Sequence, residues 1–410
     1  MTDIPKGGPA TADLLALAAE LGQRFGKTAV ERERKGEPPV AELQELRTSG
    51  LVNLLFTRAN GGAGGGLGDT VKVVSDLSKG DAAIGALLGF HYYVSNVPRL
   101  FDFAGDAAAI QRRSVQQRWL WANVHQPAQP DFIATPTSDG GFVINGSKRW
   151  ATGVTLGDVT TVIAQRSDRP ELLFAYIPTD RAGLTFRDDW DHLGLRLAET
   201  VTADFSNVQV KPDEIIRSTH AEPQVSFPPL FAAFAMPIYS AIFLGSARDA
   251  LERARAHVLA RPKARSVSRV ERAADDPLAL TIFGKLWRKI VVAEDFVRQV
   301  ADEVQDVFDR RLSLGERDFN AATLRAFTAR TLAARTALEV TPQVYDIVGT
   351  TGSANSLGFD RHWRDVRILS LHDSIPYAIK SAGNFVLNDV LHGFPSFVAK
   401  RPSQSLNPAA

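Results

Sequence analysis

The feature of this sequence that most restricts its fold is a block of β-prone segments that lies between two blocks with helical periodicity. Between about residues 119 and 216, short runs of β-branched and aromatic residues alternate with Gly, Asp and Pro turns. Ahead of this block, Leu14, Ala18 and Leu21 follow the 3.6-residue period of an amphipathic helix, and long apolar helical patterns return from about residue 226. The order predicts a mainly α-helical protein with a central β-domain, built as a compact sandwich or barrel.

The predicted domain boundaries are the points at which this periodicity changes. They give an N-terminal helical domain at 1–118, a middle β-domain at 119–225, a C-terminal helical bundle at 226–397 and a loose tail at 398–410. Strands are predicted at 119–123, 141–150, 159–165, 171–177 and 202–210. Helices are predicted at 70–94, with a break near Gly80 and Asp81, and at 238–260, 278–308 and 320–348.

The composition excludes several classes of function. Lys and Arg total 47 against 46 for Asp and Glu, so no net field attracts nucleic acid or an anionic membrane. The sequence has no cysteine, which excludes disulfides, thiolate metal sites and Cys nucleophiles and fits a cytoplasmic protein. No secretory signal is expected at the N-terminus. The uncharged run at 224–247 approaches membrane-spanning length, but Pro228, Pro229 and Pro237 interrupt it, so a buried bundle helix is predicted.

The histidines predict no metal site, because none has the His-x-x-x-His or Glu-x-x-His spacing that places two ligands on one helical face. His91 ends an apolar helical run, where a hydrogen-bonded core histidine is the ordinary interpretation. His372 lies in Ser-Leu-His-Asp, downstream of a segment at 359–367 with three arginines and two aspartates. That segment indicates either a solvated charged face or a structured turn that contacts an anionic cofactor.

The segment at 146–153 suggests a site for a flat ring. It leaves an Asp-Gly-Gly turn as a strand, so alternation would place Lys148 and Trp150 on one face. Trp150 and Thr152 would then also share a face, with an aromatic plane beside a hydroxyl. This pair suits a heteroaromatic ring that is stacked and hydrogen-bonded at once, although a tryptophan that covers the core is the alternative.

These features together resemble the acyl-CoA dehydrogenase flavoprotein superfamily. The resemblance rests on the domain order, on Asn-Gly-x-Lys-x-Trp at 145–150 and on Arg-x-Trp-Arg-Asp at 361–365, and it extends over about residues 11–394. It implies an N-terminal helical domain, a middle β-domain whose strand at 148–152 lies against the flavin, and a C-terminal four-helix bundle that forms a homotetramer.

Within the superfamily, the sequence resembles the flavin-dependent monooxygenases typified by dibenzothiophene monooxygenase. Gly-Phe-His at 89–91, the segments at 119–123 and 188–196, and Ser-Leu-His-Asp at 370–373 carry this likeness. A dehydrogenase needs a carboxylate base, usually Glu, to abstract the substrate α-proton, and no Glu occurs from residue 362 to 391. An acyl-CoA dehydrogenase or oxidase that uses Asp373 stays an alternative, as does a binding protein without catalysis.

The resemblance implies a two-component reaction. A separate NAD(P)H-dependent flavin reductase would supply reduced flavin, and O₂ would form a C4a-hydroperoxide that oxygenates a small organosulfur or aromatic substrate. Oxygenation at sulfur is favoured, and hydroxylation at nitrogen or at an aromatic carbon would use the same intermediate. Thr281 and Thr351 stand where relatives carry basic residues, which leaves the phosphate ligands open and favours FMN over FAD.

The resemblance also implies the residues of the site. The expected catalytic residues are His91, His372, Thr152 and Asn123. The expected cofactor-binding residues are Asn123, Trp150, Thr152, Lys148, Arg361 and Arg364. The expected substrate pocket contains Phe90, Trp190 and His91.

Overall fold

The computed structural model describes residues 10–100, 107–125, 131–169, 172–216, 228–261 and 263–390. Its N-terminal part is helical, as predicted. The helices are α1 (Thr11–Gly26), α2 (Ala29–Lys35), α3 (Val40–Thr48), α4 (Leu67–Gly80), α5 (Ala82–Ser95), α6 (Val97–Leu100) and α7 (Ala107–Gln117). The predicted break at Asp81 is confirmed: its carboxylate accepts a hydrogen bond from the Ala83 N–H and so caps the start of α5.

In the described residues of the middle part the chain forms a seven-stranded sheet, which confirms the predicted central β-domain. Its strands are β1 (Trp121–Val124), β2 (Ile133–Pro136), β3 (Phe142–Thr152), β4 (Val159–Arg166), β5 (Leu172–Pro178), β6 (Leu184–Phe186) and β7 (Thr200–Val210). The order is β1-β4-β2-β3-β7-β6, β5 pairs with β4, and β1 also pairs with β3. The β1–β3 pairing closes a ring of four strands, so the sheet curls into a small barrel. The short strands β2 and β6 were not predicted.

The C-terminal part consists of long helices and confirms the predicted helical block. They are α8 (Pro228–Leu259), α9 (Pro277–Asp309), α10 (Glu316–Val348), α11 (Phe359–Ser370) and α12 (Ile375–Asn388). Helix α8 packs against α4, α5, α9 and α10. By length and composition α8 could cross a membrane, but its apolar window is entirely buried inside the protein, as predicted.

Two local predictions in this part are wrong. Helix α8 begins at Pro228 and not near residue 238, because prolines in the first helical turn lack only N–H groups that would have no partner there, and the helix also continues through Pro237. The charged segment at 359–367, interpreted as either a solvated charged face or a structured turn, is helix α11, so the predicted turn is wrong. Its apolar Phe359, Val366 and Leu369 recur at helical spacing on one buried face, which explains the helix.

Several polar contacts join the β-domain to the helices, among them one at Asp158 and one at Asp365. Both carboxylate oxygens of Asp158 accept from Arg47 of α3 at 2.6 Å, and one of them also accepts from the Leu120 N–H at 2.7 Å. The Leu195 N–H, in the segment between β6 and β7, donates to the buried Asp365 of α11 at 2.6 Å.

The domain boundaries at 118, 225 and 397 stay predictions; residues 217–227 and 391–410, with the expected tail, lie outside the described residues.

Candidate active site

A cavity of about 560 Å³ lies where the β-domain meets α5, α8 and the end of α11. Most of its wall is apolar or aromatic, with a few polar groups that converge on it, which is the usual character of a small-molecule site. The residues that line it are Ala86, Phe90, Tyr93, Asn123, His125, Trp150, Thr152, Trp190, His192, Leu195, Ala198, Thr200, Ala232, Ala235, Met236, Tyr239, Ile368, Leu369, Leu371, His372 and Asp373.

A bulge in β3 brings Trp150 to this cavity. The pairing of β3 with β7 shifts register between Lys148 and Ala151, and Trp150 has a left-handed backbone with φ of 65°. Trp150 lines the cavity, whereas Lys148 is buried with its ammonium 4.7 Å from the centre of the Phe132 ring. The prediction that Lys148 and Trp150 share a face is therefore wrong, because the extra residue of the bulge breaks the two-residue alternation.

Two polar residues from neighbouring strands line the cavity side by side. Asn123 of β1 lies directly opposite Thr152 of β3 in the antiparallel pairing. The Thr152 hydroxyl accepts a hydrogen bond from the Thr200 hydroxyl at 3.2 Å. The side-chain oxygen of Asn123 is buried and has no hydrogen-bond partner among the described residues. A buried polar atom of this kind requires a partner that the described residues do not supply.

His372 and Asp373 form a polar pair at the helical side of the cavity. His372 Nδ1 lies 3.0 Å from Asp373 Oδ2, and Arg330 of α10 places its Nε 3.7 Å from the same oxygen. Burial alone would raise the pKa of Asp373, but the charge and hydrogen bond of His372, with the charge of Arg330, lower it to about 2. The carboxylate is therefore ionised at neutral pH and holds His372 Nδ1, which leaves Nε2 as the ring nitrogen for proton exchange.

An aromatic cluster forms another wall of the cavity. The Trp150 and Trp190 rings are 5.9 Å apart in an edge-to-face arrangement, and His192 lies 4.1 Å from the Trp190 ring. Trp190 is held in place because its Nε1–H donates to the Leu195 carbonyl at 2.9 Å. The N–H of the same Leu195 donates to Asp365 of α11. Helix α11 therefore fixes the position of the cluster.

Comparison with known proteins decides the family. The model of the acyl-CoA dehydrogenase middle domain matches residues 128–208, and that of the acyl-CoA dehydrogenase C-terminal domain matches 238–376. A dibenzothiophene monooxygenase of Rhodococcus erythropolis is 31% identical, over 92% of this chain and 93% of that protein. The chain belongs to the acyl-CoA dehydrogenase superfamily. Its place in the flavin-dependent monooxygenase branch confirms the expected resemblance.

Further relatives of this superfamily member agree in sequence and in structure. The probable FMNH2-dependent monooxygenase SfnC of Pseudomonas putida is 30% identical, over 92% of this chain and 95% of that protein. TdsC of Paenibacillus sp. A11-2, solved with FMN and indole, is 32% identical with a TM-score of 0.88, over 94% of this chain and 100% of that one. Methanesulfinate monooxygenase MsuC of Pseudomonas fluorescens is 27% identical with a TM-score of 0.88, over 94% of this chain and 99% of that one.

In this superfamily member, His91 lies behind the cavity wall and not in it. Its Nε2 is 2.7 Å from the Val52 carbonyl, and its Nδ1 accepts from the Trp121 N–H at 3.0 Å. Burial lowers the pKa of His91 to about 4, so the ring is neutral. The prediction that His91 lies in the pocket is therefore wrong. Consecutive residues of an α-helix are rotated by about 100°, so Phe90 lines the cavity and His91 points away from it.

The expected basic cofactor ligands also lie outside the cavity wall. Burial lowers the pKa of Lys148 to about 7. Arg361 is buried and donates to the Gly80 carbonyl at 3.0 Å, while Arg364 pairs with Glu33 at 2.6 Å. The two arginines join α11 to the N-terminal helices. In contrast, the expected Asn123, Thr152, Trp150, Phe90, Trp190 and His372 all line the cavity.

His125 is a cavity residue that the sequence analysis missed. Its Nε2 is hydrogen-bonded to the Thr161 hydroxyl of β4, and its buried Nδ1 has no partner among the described residues. Burial first, and then the charge of Lys148, lower the pKa of His125 to about 3, so the ring is neutral. The alternation of β1 was the available signal, since His125 follows Asn123 by two residues and so lies on the same face.

Proposed function

We propose that this protein is a two-component monooxygenase that uses reduced FMN and O₂ to oxygenate a small neutral organosulfur or aromatic compound, with oxygenation at sulfur favoured. The observation that carries the proposal is one cavity whose lining combines Trp150, the Asn123–Thr152 pair and the His372–Asp373 pair. The names of the relatives support it: they include dibenzothiophene monooxygenase, SfnC and an FMN-bound TdsC.

The donor set of the cavity fits a flavin ring. Trp150 offers a large aromatic surface, Thr152 a hydroxyl, and Asn123 a buried side-chain oxygen that still requires a donor. An isoalloxazine edge carries both N–H and carbonyl groups, so it can satisfy such a set. When bound, reduced flavin supplies the electrons and the position at which O₂ is activated. In our proposal Trp150, Thr152 and Asn123 hold and orient the ring.

The other walls have two tasks in this proposal. Phe90, Tyr239 and Trp190 line the cavity with apolar surface and exclude water from it. Exclusion of water prevents side reactions that would consume the oxidant before the substrate reacts. His372 is placed to exchange a proton at Nε2, because the contact with Asp373 holds its Nδ1. In our proposal a proton held at Nε2 would assist the transfer of one oxygen atom to the substrate sulfur.

A dehydrogenase is disfavoured by the state of Asp373. Among the described residues that line the cavity it is the only carboxylate, and its pKa near 2 makes it a weak base. Proton abstraction next to a thioester requires a base with a higher proton affinity. Butyryl-CoA dehydrogenase of Megasphaera elsdenii has a TM-score of 0.78, but at 21% identity this likeness shows the fold alone.

The proposal includes two partners. One is a separate NAD(P)H-dependent reductase that supplies reduced FMN. The other is three further copies of this chain, as in the expected homotetramer. Exposed apolar residues on α9 support such an assembly, because exposed large apolar side chains favour burial against another subunit. Leu280 and Trp287 are exposed and, seven residues apart, lie on one face of the helix. Light scattering on the purified protein measures the number of subunits.

The test of the activity combines the protein with FMN, NADH, a flavin reductase and ¹⁸O₂. Thioethers, thiophenes, indoles and amines are offered in parallel. We expect one labelled oxygen in the sulfoxide product and no product when the reductase is omitted. Bleaching of bound FMN by an acyl-CoA without O₂, or a failure of the protein to bind any flavin, would contradict the proposal.

A further inference from the structure

His125 lies at an inner end of the cavity, away from the aromatic cluster of Trp150 and Trp190. Its ring contacts Tyr93 of α5 and Phe231 of α8, with centroids 5.8 and 5.5 Å apart. It is 6% exposed, whereas Trp150 is 46% exposed. Along β1, His125 is two residues beyond Asn123, or about 7 Å in an extended strand. Asn123 itself is the residue that lies opposite Thr152.

The hydrogen bond to Thr161 determines what His125 can offer. If Nε2–H donated to Thr161, then Nδ1 would be a buried acceptor without a partner and the Thr161 hydrogen would also lack one among the described residues. If Thr161 donates to Nε2 instead, only the Nδ1–H remains unpaired. Because each buried unpaired group costs free energy, the second arrangement is favoured. His125 therefore carries its proton on Nδ1 and is a neutral donor.

The charges around the cavity restrict what can accept from this donor. Among the described residues that line the cavity there is no Lys or Arg, and the one carboxylate is Asp373. An anion would have to leave water without a countercharge, which is costly in a buried apolar site. A neutral molecule has no such cost, and the aromatic walls favour a flat or apolar one.

We propose that His125 is a specificity-determining residue whose Nδ1–H binds a hydrogen-bond acceptor on a neutral substrate at the inner end of the cavity. This inference rests on the proposed function only in taking the occupant to be the molecule that is oxygenated. The acceptor is an oxygen or nitrogen atom that lies away from the sulfur to be oxygenated. Tyr93 and Phe231 then enclose the group that carries this acceptor, and Thr161 fixes the tautomer.

The experiment measures binding and needs no turnover. The probes are 1-indanone, which has one carbonyl acceptor, and indane, which has the same rings without it. They are titrated by calorimetry into the full-length protein without flavin. We expect the wild type to bind 1-indanone about fivefold more tightly than indane, the size of effect that one net hydrogen bond gives. Methanesulfinate, the anionic probe, should bind more weakly than 1-indanone.

Three variants separate the donor from the shape of the ring. His125→Phe keeps a ring but has no donor, so the preference for 1-indanone should disappear. His125→Asn places an amide N–H near the former Nδ1 and should retain it. His125→Phe combined with Thr161→Val removes the hydroxyl that the single variant leaves unpaired, and it keeps the test valid if the single variant unfolds. An unchanged preference in the Phe variants would overturn the proposal, as would methanesulfinate binding as tightly as 1-indanone.

A separate measurement of FMN binding shows whether His125 contacts the substrate or the flavin. FMN affinity is measured for the wild type and for His125→Phe in the absence of the probes. We expect equal affinities. A loss of FMN affinity, together with an unchanged preference for 1-indanone, would assign His125 to the flavin and overturn this inference while leaving the proposed function standing. No flavin affinity in either protein would remove the proposed function, whereas the probe preference would still test His125.

Discussion

Lys148 and Trp150 are two residues apart on β3, yet Lys148 is 1% exposed and Trp150 is 46% exposed. A regular strand would place both side chains on one face. The bulge between Lys148 and Ala151 separates them, so the ammonium stays over Phe132 while the indole reaches the cavity. The wall that we assign to the flavin therefore depends on a left-handed backbone at Trp150, where a residue with a side chain is strained.

Replacing Trp150 by Gly and by Ala separates this strain from the function of the ring. Both variants should bind FMN about tenfold more weakly, because both lose the aromatic surface. Trp150→Gly should be more stable than Trp150→Ala by about 1 kcal/mol, because glycine adopts positive φ without steric cost. Urea unfolding and FMN titration measure the two effects. Equal stability of the two variants would show that the backbone relaxes, and unchanged FMN affinity would leave Trp150 as a covering residue only.

His372→Ala should reduce turnover by a factor of about 10² to 10⁴, the usual contribution of a positioned proton donor. Its side chain is 45% exposed, so the free energy of unfolding should change little. The matched control is His257→Ala, which removes a histidine that lies outside the cavity and contacts Thr351. Product formation with reduced FMN supplied in excess gives the rates. Turnover near the wild-type rate in His372→Ala would remove this residue from the mechanism.

Asp365 should make the stability of the protein depend on pH. Burial raises the pKa of Asp365 to about 7 in the folded protein against an ordinary value of 3.8, although the charge of Arg361 opposes this. The folded state thus binds the proton more tightly than the unfolded state does. The stability contributed by protonated Asp365 is full below about pH 4 and is lost as the pH rises towards about 7.

Asp365→Asn cannot ionise and keeps an oxygen that accepts from the Leu195 N–H. Its free energy of unfolding, relative to that of the wild type, should therefore increase between about pH 4 and about pH 7 and then level off. Urea unfolding at several pH values in this window measures the difference. A difference that stays constant, or one that decreases as the pH rises, would contradict the assigned sign.

His91 should matter for stability and not for the chemical step. Both of its ring nitrogens bond main-chain groups in a fully buried position, so His91→Ala should cost about 2 to 4 kcal/mol of stability. Turnover per folded molecule should remain within about tenfold of the wild type, measured below the melting temperature of the variant. A larger loss of turnover without a loss of stability would return His91 to the catalytic residues.

Much of the fold could be predicted because it is encoded by local patterns. The β-prone runs at 159–165 and 202–210 correspond to β4 and β7, and the helical runs at 278–308 and 320–348 correspond to α9 and α10. The short strands β2 and β6 could not be found, because three or four residues carry too little periodicity. The start of α8 was missed for a different reason: proline signals a break in sequence but is tolerated in a first helical turn.

The site was predicted in part. The cavity lining includes the expected Trp150, Thr152, Asn123 and His372, whose motifs were readable. His91 was misplaced because a motif gives the residue but not the side of the helix that faces the cavity. His125 was missed because its significance depends on Thr161, Tyr93 and Phe231, which come from other segments.

By itself, the sequence determined the order of helical and β-rich parts, the family and the residue types available for the chemistry, because these follow from periodicity and motif over short stretches of chain. Only the tertiary structure decided which side chains meet. The bulge at Trp150 depends on pairing with β7, and the low pKa of Asp373 depends on its neighbour His372 and also on the charge of Arg330, 43 residues earlier in the chain. Burial, strain and pKa are properties of contacts between distant segments, and these contacts exist only once the chain has folded.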